Sequence, residues 1–327
     1  MQNETNTIPV FFSCDDNYLP FLAVAVRSLV TNARTNAHYR IIVLNNGLNE
    51  EMSKKIAGMA TDNISISFVS VADKLAPLLS RLNLRDYYTA SIYFRIFIPE
   101  MFPDLDKAIY LDSDIVLNSD IAKLFVLPLE DKLLGAVPDA VVAGRQEFRD
   151  YADDAVGVPY RKYFNSGVLL MNLKEMRKSN IEGRFAWLLN KYGFNTICPD
   201  QDYLNVLCRD RVHYLNEGWN KMAINRNYSG VPNLVHYNMF GKPWHYDNVP
   251  YEEYFWKYAK DTEFYEDILK LKQAFGAACA EQDIAAEKTL VASALAIIDE
   301  EVNFKNAVVC LEEKHHENRL VSLAAQA

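Results

Sequence analysis

From Ile8 to Asn172 the chain alternates short apolar, β-rich runs with amphipathic stretches of helical length. Ile8–Ser13 reads as a strand, and a helix follows from near Leu19 through FLAVAVRSLVTNA. Tyr39–Leu44 is a second strand, closed by Asn45-Asn46-Gly47; residues 49–60 form a helix, and Ile64–Val69 a third strand. Buried strands separated by amphipathic helices predict an α/β fold with a largely parallel sheet. The pattern continues with a helix over Ala90–Phe97, ended by Pro99 and Pro103, and a strand over Lys107–Leu111. Leu134–Pro138 and Tyr163–Asn172 are further strands. Leu173–Tyr192 reads as one helix, Asp200–Cys208 as a short one, and residues 213–245 as aromatic loop.

After about Tyr258 the character changes. Residues 260–327 lack Pro and Trp and hold seven Lys or Arg against thirteen Asp or Glu. That composition predicts two or three acidic helices outside the sheet. The expected division is a catalytic domain over residues 1–258 and an acidic helical appendage over 259–327. A net charge of −9 argues against general nucleic-acid binding, which needs Lys and Arg to neutralise phosphates. The five cysteines are odd in number and lack metal-binding or redox spacing, as expected for reduced thiols. The N-terminal stretch has no basic, apolar leader pattern and no run is long enough to span a membrane. The expectation is a cytoplasmic protein, with any membrane contact peripheral and at the inner face.

The segment Ala108–Leu117 is the most informative chemically. Asp112 and Asp114 lie two apart, which in an extended chain puts both carboxylates on one side. An apolar strand delivers them to a sheet edge. Two hard oxygen ligands there can hold magnesium or manganese, with positions left for phosphate oxygens. A D-x-D triplet alone reads first as ordinary turn chemistry or solvation at a strand end; the apolar strand feeding it favours a ligand pair without deciding between the two. His236 is a candidate third ligand, because Gly241-Lys242-Pro243-Trp244-His245 follows it and Lys242 offers a point charge for phosphate.

At these residues the chain resembles glycosyltransferase family 8, the retaining transferases of GT-A fold, and within it the bacterial lipopolysaccharide and lipooligosaccharide glucosyl- and galactosyltransferases. The resemblance spans roughly residues 8–245 and rests on ordered blocks. It implies a Rossmann-like, mixed but mostly parallel sheet flanked by helices, with the C-terminal helices appended. In the first block, Ser13, Asp15 and Asn17 are implied to contact the nucleoside, with Tyr18 stacking nearby. In the second, Arg95 is implied to reach the donor site. The third is the D-x-D segment, with Asp112 and Asp114 as metal ligands and Ser113 between them at the donor. Tyr163–Asn172 is the fourth, implying sugar recognition by Asn165 and the Ser166-Gly167 backbone. The fifth, Pro199–Asn205, implies that Asp200 binds sugar hydroxyls, that Gln201 lies beneath the anomeric carbon, and that Asp202 is a nucleophile or stabiliser. Asp200 also suits a helix N-cap on its own account. In the sixth, His236 and Lys242 keep the family interval and Gly241 joins them at the diphosphate. The family glycine has become Met239, which predicts a different bend in that loop.

The implied reaction moves glucose or galactose from a UDP-sugar to a glycan or lipid-linked saccharide, with Mn2+ or Mg2+ on Asp112, Asp114 and His236. Front-face and covalent routes both stay open. Two other functions fit the same residues: a nucleotide-sugar-binding protein with weak or no transfer, and a UDP-sugar phosphohydrolase. The acidic C-terminal helices are available for self-association.

Overall fold

β1 (Thr7–Ser13) carries Val10, Phe11 and Phe12 with no solvent exposure, and alternation sends them to opposite faces of a sheet. Each face therefore needs its own cover, and the chain has two buried clusters to match. Phe11, Tyr110 and Leu169 belong to one; Val10, Phe12, Ile109 and Leu111 belong to the other. The structure, a computed structural model, describes residues 7–78, 82 and 90–309.

In chain order, α1 (Leu19–Asn32), β2 (His38–Asn45), α2 (Glu50–Ala57), β3 (Ile64–Ser70) and the short α3 (Ala72–Leu75) follow β1. A 3-10 turn over Ala90–Tyr93 then leads into α4 (Phe94–Met101). β4 (Ala108–Leu111), β5 (Ile115–Leu117), α5 (Ala122–Phe125), β6 (Leu134–Ala136), α6 (Ala140–Gly144) and α7 (Gln146–Asp150) come next. After a wide turn over Tyr151–Val156 come β7 (Val168–Met171), α8 (Leu173–Lys178), α9 (Ile181–Lys191), α10 (Pro199–Leu207) and β8 (Val212–Tyr214). β9 (Lys221–Met222) and β10 (Leu234–His236) precede α11 (Glu252–Ala259), α12 (Tyr265–Ala274) and α13 (Ala277–Ile298).

The main sheet has seven strands in the order β3-β2-β1-β4-β7-β6-β8. β3, β2, β1 and β4 run parallel, and β7 is antiparallel to both β4 and β6. The strand order reverses between β1 and β4, so a crevice opens beyond their C-terminal ends, where open α/β sheets bind ligands. A small sheet, β5-β10-β9, hangs off the end of β4.

Four sequence expectations need correction. Pro99 does not end α4 but lies inside it, and the helix runs on to Met101. The helix expected over Leu173–Tyr192 is two helices, broken where Asn180 takes the left-handed conformation (φ +50°) that Asn tolerates. The strand expected over Tyr163–Asn172 is only Val168–Met171, because Asn165 and Ser166 turn inward to make side-chain bonds. Asp200 is not an N-cap: Cys198 holds that place and Pro199 takes the first helical position, where its missing N–H costs nothing.

The helices after Tyr258 lie outside the sheet but share its core. Leu290, Ala294, Ile297 and Phe304 join the same buried cluster as Phe148, Tyr151 and Tyr203. Among the described residues, no helix is long and apolar enough to cross a membrane. Cys14, Cys208 and Cys279 are free thiols. Phe304 is 2% exposed, and its ring centroid lies 4.1 Å from that of Phe194 and 4.9 Å from that of Tyr203. Phe304→Ala should therefore cost about 3–5 kcal/mol in urea unfolding. A loss below about 1 kcal/mol would show that this segment is not docked on the core.

Candidate active site: a carboxylate–histidine cluster in the crevice

Strand register brings three distant segments together. Leu111 pairs with Phe12 on one side and Val168 on the other, so Asp112 emerges beside Ser13 and Gly167. The Asp112 backbone N–H donates to Gly167 O (2.8 Å). Ile115 pairs with His236, and Tyr237 N–H donates to Asp114 O (2.9 Å), which sets the imidazole against the two carboxylates.

The ligand atoms of Asp112, Asp114 and His236 lie within 4.8 Å of one another. Each residue has its far side occupied and its near side bare. Asp112 Oδ1 accepts from Arg95 Nη2 (2.8 Å) and the Tyr110 hydroxyl (2.9 Å), leaving Oδ2 toward His236 Nε2 at 3.8 Å. Asp114 Oδ2 accepts from Lys242 Nζ. Asp114 Oδ1 is buried and takes no hydrogen bond, although His236 Nε2 is 3.1 Å away. The histidine tautomer explains this. Gly167 N–H must donate, so the Asn165 atom it meets at 3.0 Å is Oδ1. That oxygen also accepts from Asn220 Nδ2 (2.8 Å), which leaves Asn220 Oδ1 to accept from His236 Nδ1–H (3.0 Å). In the neutral ring, His236 Nε2 then turns its lone pair to two carboxylate oxygens. A proton on Nε2 would relieve one such contact; a divalent cation would satisfy all three atoms at once.

Charges around the cluster agree. Burial pushes the Asp114 carboxyl up, but the Lys242 ammonium beside it is the main opposing charge, and the carboxyl stays below the usual carboxylate range. Burial pulls the Lys242 ammonium down; Asp114 and the Tyr18 phenol outweigh that, so it stays charged. Arg95 is 3% exposed, donates through Nη1 to Ser166 Oγ (3.0 Å), and lies 3.2 Å from Asp200 Oδ2. It is a buried brace that aims Asp112 and Asp200.

Beside the cluster sits a net of amides and acids. Gln201 Oε1 accepts from Ser166 N–H (2.9 Å) and Asn165 Nδ2 (3.2 Å), and its Nε2 donates to Asp139 Oδ2 (3.1 Å). Asp139 caps α6 through its other oxygen. Asp200 Oδ2 accepts from Ser166 Oγ (2.9 Å), and burial raises its carboxyl. Asp202 is placed differently. It is fully buried, does not line the cavity, and accepts from the Tyr163 and Tyr151 hydroxyls and more weakly from Cys198 N–H.

Ser13, Asp15, Tyr18 and Ser113 line the same cavity; Asn17 and Gly241 are exposed and do not. Ser113 Oγ donates to Ser13 O (2.7 Å), tying the β4 end to the β1 end. Met239 adopts φ +58°, a left-handed conformation that glycine enters more readily, while Gly241 has no positive φ.

The sequence profile of glycosyl transferase family 8 matches residues 9–248. The chain belongs to glycosyltransferase family 8. A lipopolysaccharide 1,2-glucosyltransferase of Escherichia coli K12 is 28% identical over 274 residues, 76% of this chain and 77% of that protein. Among solved structures, the galactosyltransferase LgtC with donor and acceptor sugar analogs superposes with a TM-score of 0.66 at 28% identity, covering 78% of this chain and 96% of LgtC. The bifunctional glycosyltransferase WbbM gives 0.71 at 25% identity; the match covers 84% of this chain and about half (53%) of WbbM. This family 8 chain thus has the GT-A fold of a transferase.

Three residues that shape the site were not singled out in the sequence: Tyr110, Asp139 and Asn220. Tyr110 is the penultimate residue of the strand that feeds the D-x-D segment, and Asp139 lies in the turn just past the end of β6, a region where ligand-binding groups gather. Asn220 has no such signal.

Gly167 leaves no room for a side chain: a Cβ there would sit 2.4 Å from His236 Cε1 and 2.5 Å from Asp112 Oδ2. Gly167→Ala should weaken manganese binding, read by electron paramagnetic resonance, at least tenfold while circular dichroism stays native. Unchanged manganese affinity would remove these two residues from the ligand set.

Burial pushes the Asp202 carboxyl up to about 7, against the pull of the tyrosine hydrogen bonds. In the unfolded chain it titrates near about 3.9. Between those values the folded protein binds more protons, so this group's contribution to stability falls as pH rises. Urea unfolding should show wild type losing ground against Asp202→Asn from about pH 4 to about pH 7 and holding level below; a flat difference would contradict the buried assignment.

Proposed function

We propose that this chain is a retaining hexosyltransferase that moves glucose or galactose from a UDP-sugar to a saccharide acceptor, with manganese or magnesium held by Asp112, Asp114 and His236. The observation that carries this reading is the bare lone pair of His236 Nε2 facing the free oxygens of two carboxylates, at the head of a cavity shared with Lys242 and the Gln201 amide. A cation bound there neutralises charge on the departing nucleoside diphosphate.

The chain's own residues supply the rest. Asp15 and Tyr18 hold the nucleoside end. Lys242 ion-pairs with Asp114 and turns its charge to the phosphates when the donor arrives. Asp200 accepts from sugar hydroxyls while Arg95 and Ser166 fix its orientation. Gln201 is pinned by Asp139, Asn165 and Ser166, so its amide meets the hexose in one pose. Asp202 holds the first turn of α10 against Tyr151 and Tyr163 and serves as a positioning residue. With that carboxylate turned away, the front-face route fits best. The bond between the anomeric carbon and the β-phosphate oxygen breaks, the acceptor oxygen bonds to the same face, and its proton passes to the departing phosphate oxygen. The likeness to the E. coli lipopolysaccharide 1,2-glucosyltransferase supports a bacterial surface glycan as acceptor.

Turnover of UDP-glucose and UDP-galactose with manganese, read as UDP release and as sugar transferred to lipooligosaccharide core, tests the reading. One donor should turn over, and Asp112→Asn and Lys242→Ala should each lower kcat/KM at least 100-fold. Sugar released only to water, in amounts matching UDP whatever the acceptor, would make the protein a phosphohydrolase instead.

A further inference from the structure

The cavity continues well past the metal cluster and measures about 720 Å³. Its far wall includes an element beyond the family-matched segment. Gln282, Ala285, Ala286, Thr289 and Leu290 of α13 face it at successive helical-face positions. Val141, Val142 and Phe148, from α6 and α7, stand with them.

α13 is anchored along the cavity on both sides. The Tyr246 hydroxyl, in the loop that follows Lys242, donates to Asp283 Oδ2 (2.7 Å). Arg145 Nη1, between α6 and α7, donates to Glu287 Oε1 (2.7 Å). Further along, Leu290, Ala294 and Ile297 are buried in the core. The helix therefore stands as a fixed wall from the diphosphate end to the α6–α7 end.

The chemistry of that wall contrasts with the rest of the cavity. Ala285 and Ala286 present only methyl groups. Thr289 spends its hydroxyl hydrogen on Ala285 O (2.9 Å) within its own helix. Leu290, Val141 and Val142 add aliphatic surface, and Gln282 alone of the named α13 residues keeps an amide free for hydrogen bonding within that face. A hexose set there would leave its hydroxyls unpaired, at a cost in binding. An alkyl or aryl group meets no such cost and gains by leaving water.

We infer that α13, with α6 and α7, forms an acceptor subsite for an apolar aglycone, so that the acceptor is a glycoside carrying an alkyl or aryl group next to the sugar that is extended. The word acceptor rests on the hexosyltransferase reading; the apolar subsite itself does not. The test is calorimetry on the full chain, loaded with manganese and UDP, using octyl glucoside and octyl galactoside below their micelle concentrations and the matching methyl glycosides. At least one octyl glycoside should bind tenfold or more tightly than its methyl counterpart. Ala286→Trp should erase that preference. Ala285→Trp, on a more exposed part of the same face, should erase it too without disturbing helix packing. Ile284→Trp puts the same side chain on a side of α13 that does not line the cavity, where residue 284 is 55% exposed, and should leave the preference intact. Equal binding of octyl and methyl glycosides, including none of either, would overturn the inference, as would the same result from all three tryptophan variants. Loss of manganese-dependent UDP binding with the octyl preference intact would instead count against the transferase reading alone.

Discussion

The site depends on a relay of side-chain amides that starts at a backbone N–H which can only donate. Gly167 fixes Asn165, Asn165 fixes Asn220, and Asn220 takes the Nδ1 proton of His236. The result is an imidazole lone pair locked against two carboxylates, an arrangement that is repulsive until positive charge enters it. The same Asn165 reaches Gln201 and Asp139 through its amino group. One asparagine thus couples the orientation of the His236 ring to that of the Gln201 amide.

The fold is what makes so dense a polar cluster affordable in the middle of a protein. Parallel β1 and β4, with antiparallel β7 alongside, deliver Ser13, Asp112 and Gly167 to one edge by register alone. Antiparallel pairing of β10 with β5 adds His236. Arg95, Tyr110 and Lys242 then satisfy the carboxylate oxygens that face away from the ligand position. The C-terminal helices complete the enclosure: Lys272 donates to Pro243 O and Tyr246 O, bracing the loop that carries Lys242, before α13 crosses to the α6–α7 wall.

Much of this was legible in the sequence, for local reasons. Periodicity exposed the alternating strands and helices, and the apolar strand running into Asp112-Ser113-Asp114 marked the carboxylates because extended chain puts residues two apart on one side. Asp200 and Asp202 share that spacing, but on α10 they diverge by roughly 200° around the helix axis, so one meets the cavity and the other is buried behind it. Spacing carries opposite meanings in the two geometries. Asn220 was invisible because its partner His236 lies 16 residues away, and Asp139's place past β6 did not reveal its bond to Gln201, 62 residues away. Met239 stands where the family glycine is expected and takes a left-handed conformation, which costs a residue with a side chain about 1–2 kcal/mol.

Calorimetric titration of UDP into the purified protein, with and without manganese, tests the central claim most directly. If His236 and the two aspartates form a site whose charge is completed by a cation, UDP should bind with manganese and bind at least tenfold more weakly without it. Equal UDP affinity in both conditions would mean that the cluster is a static ion-pair network, and the account of this site would fail.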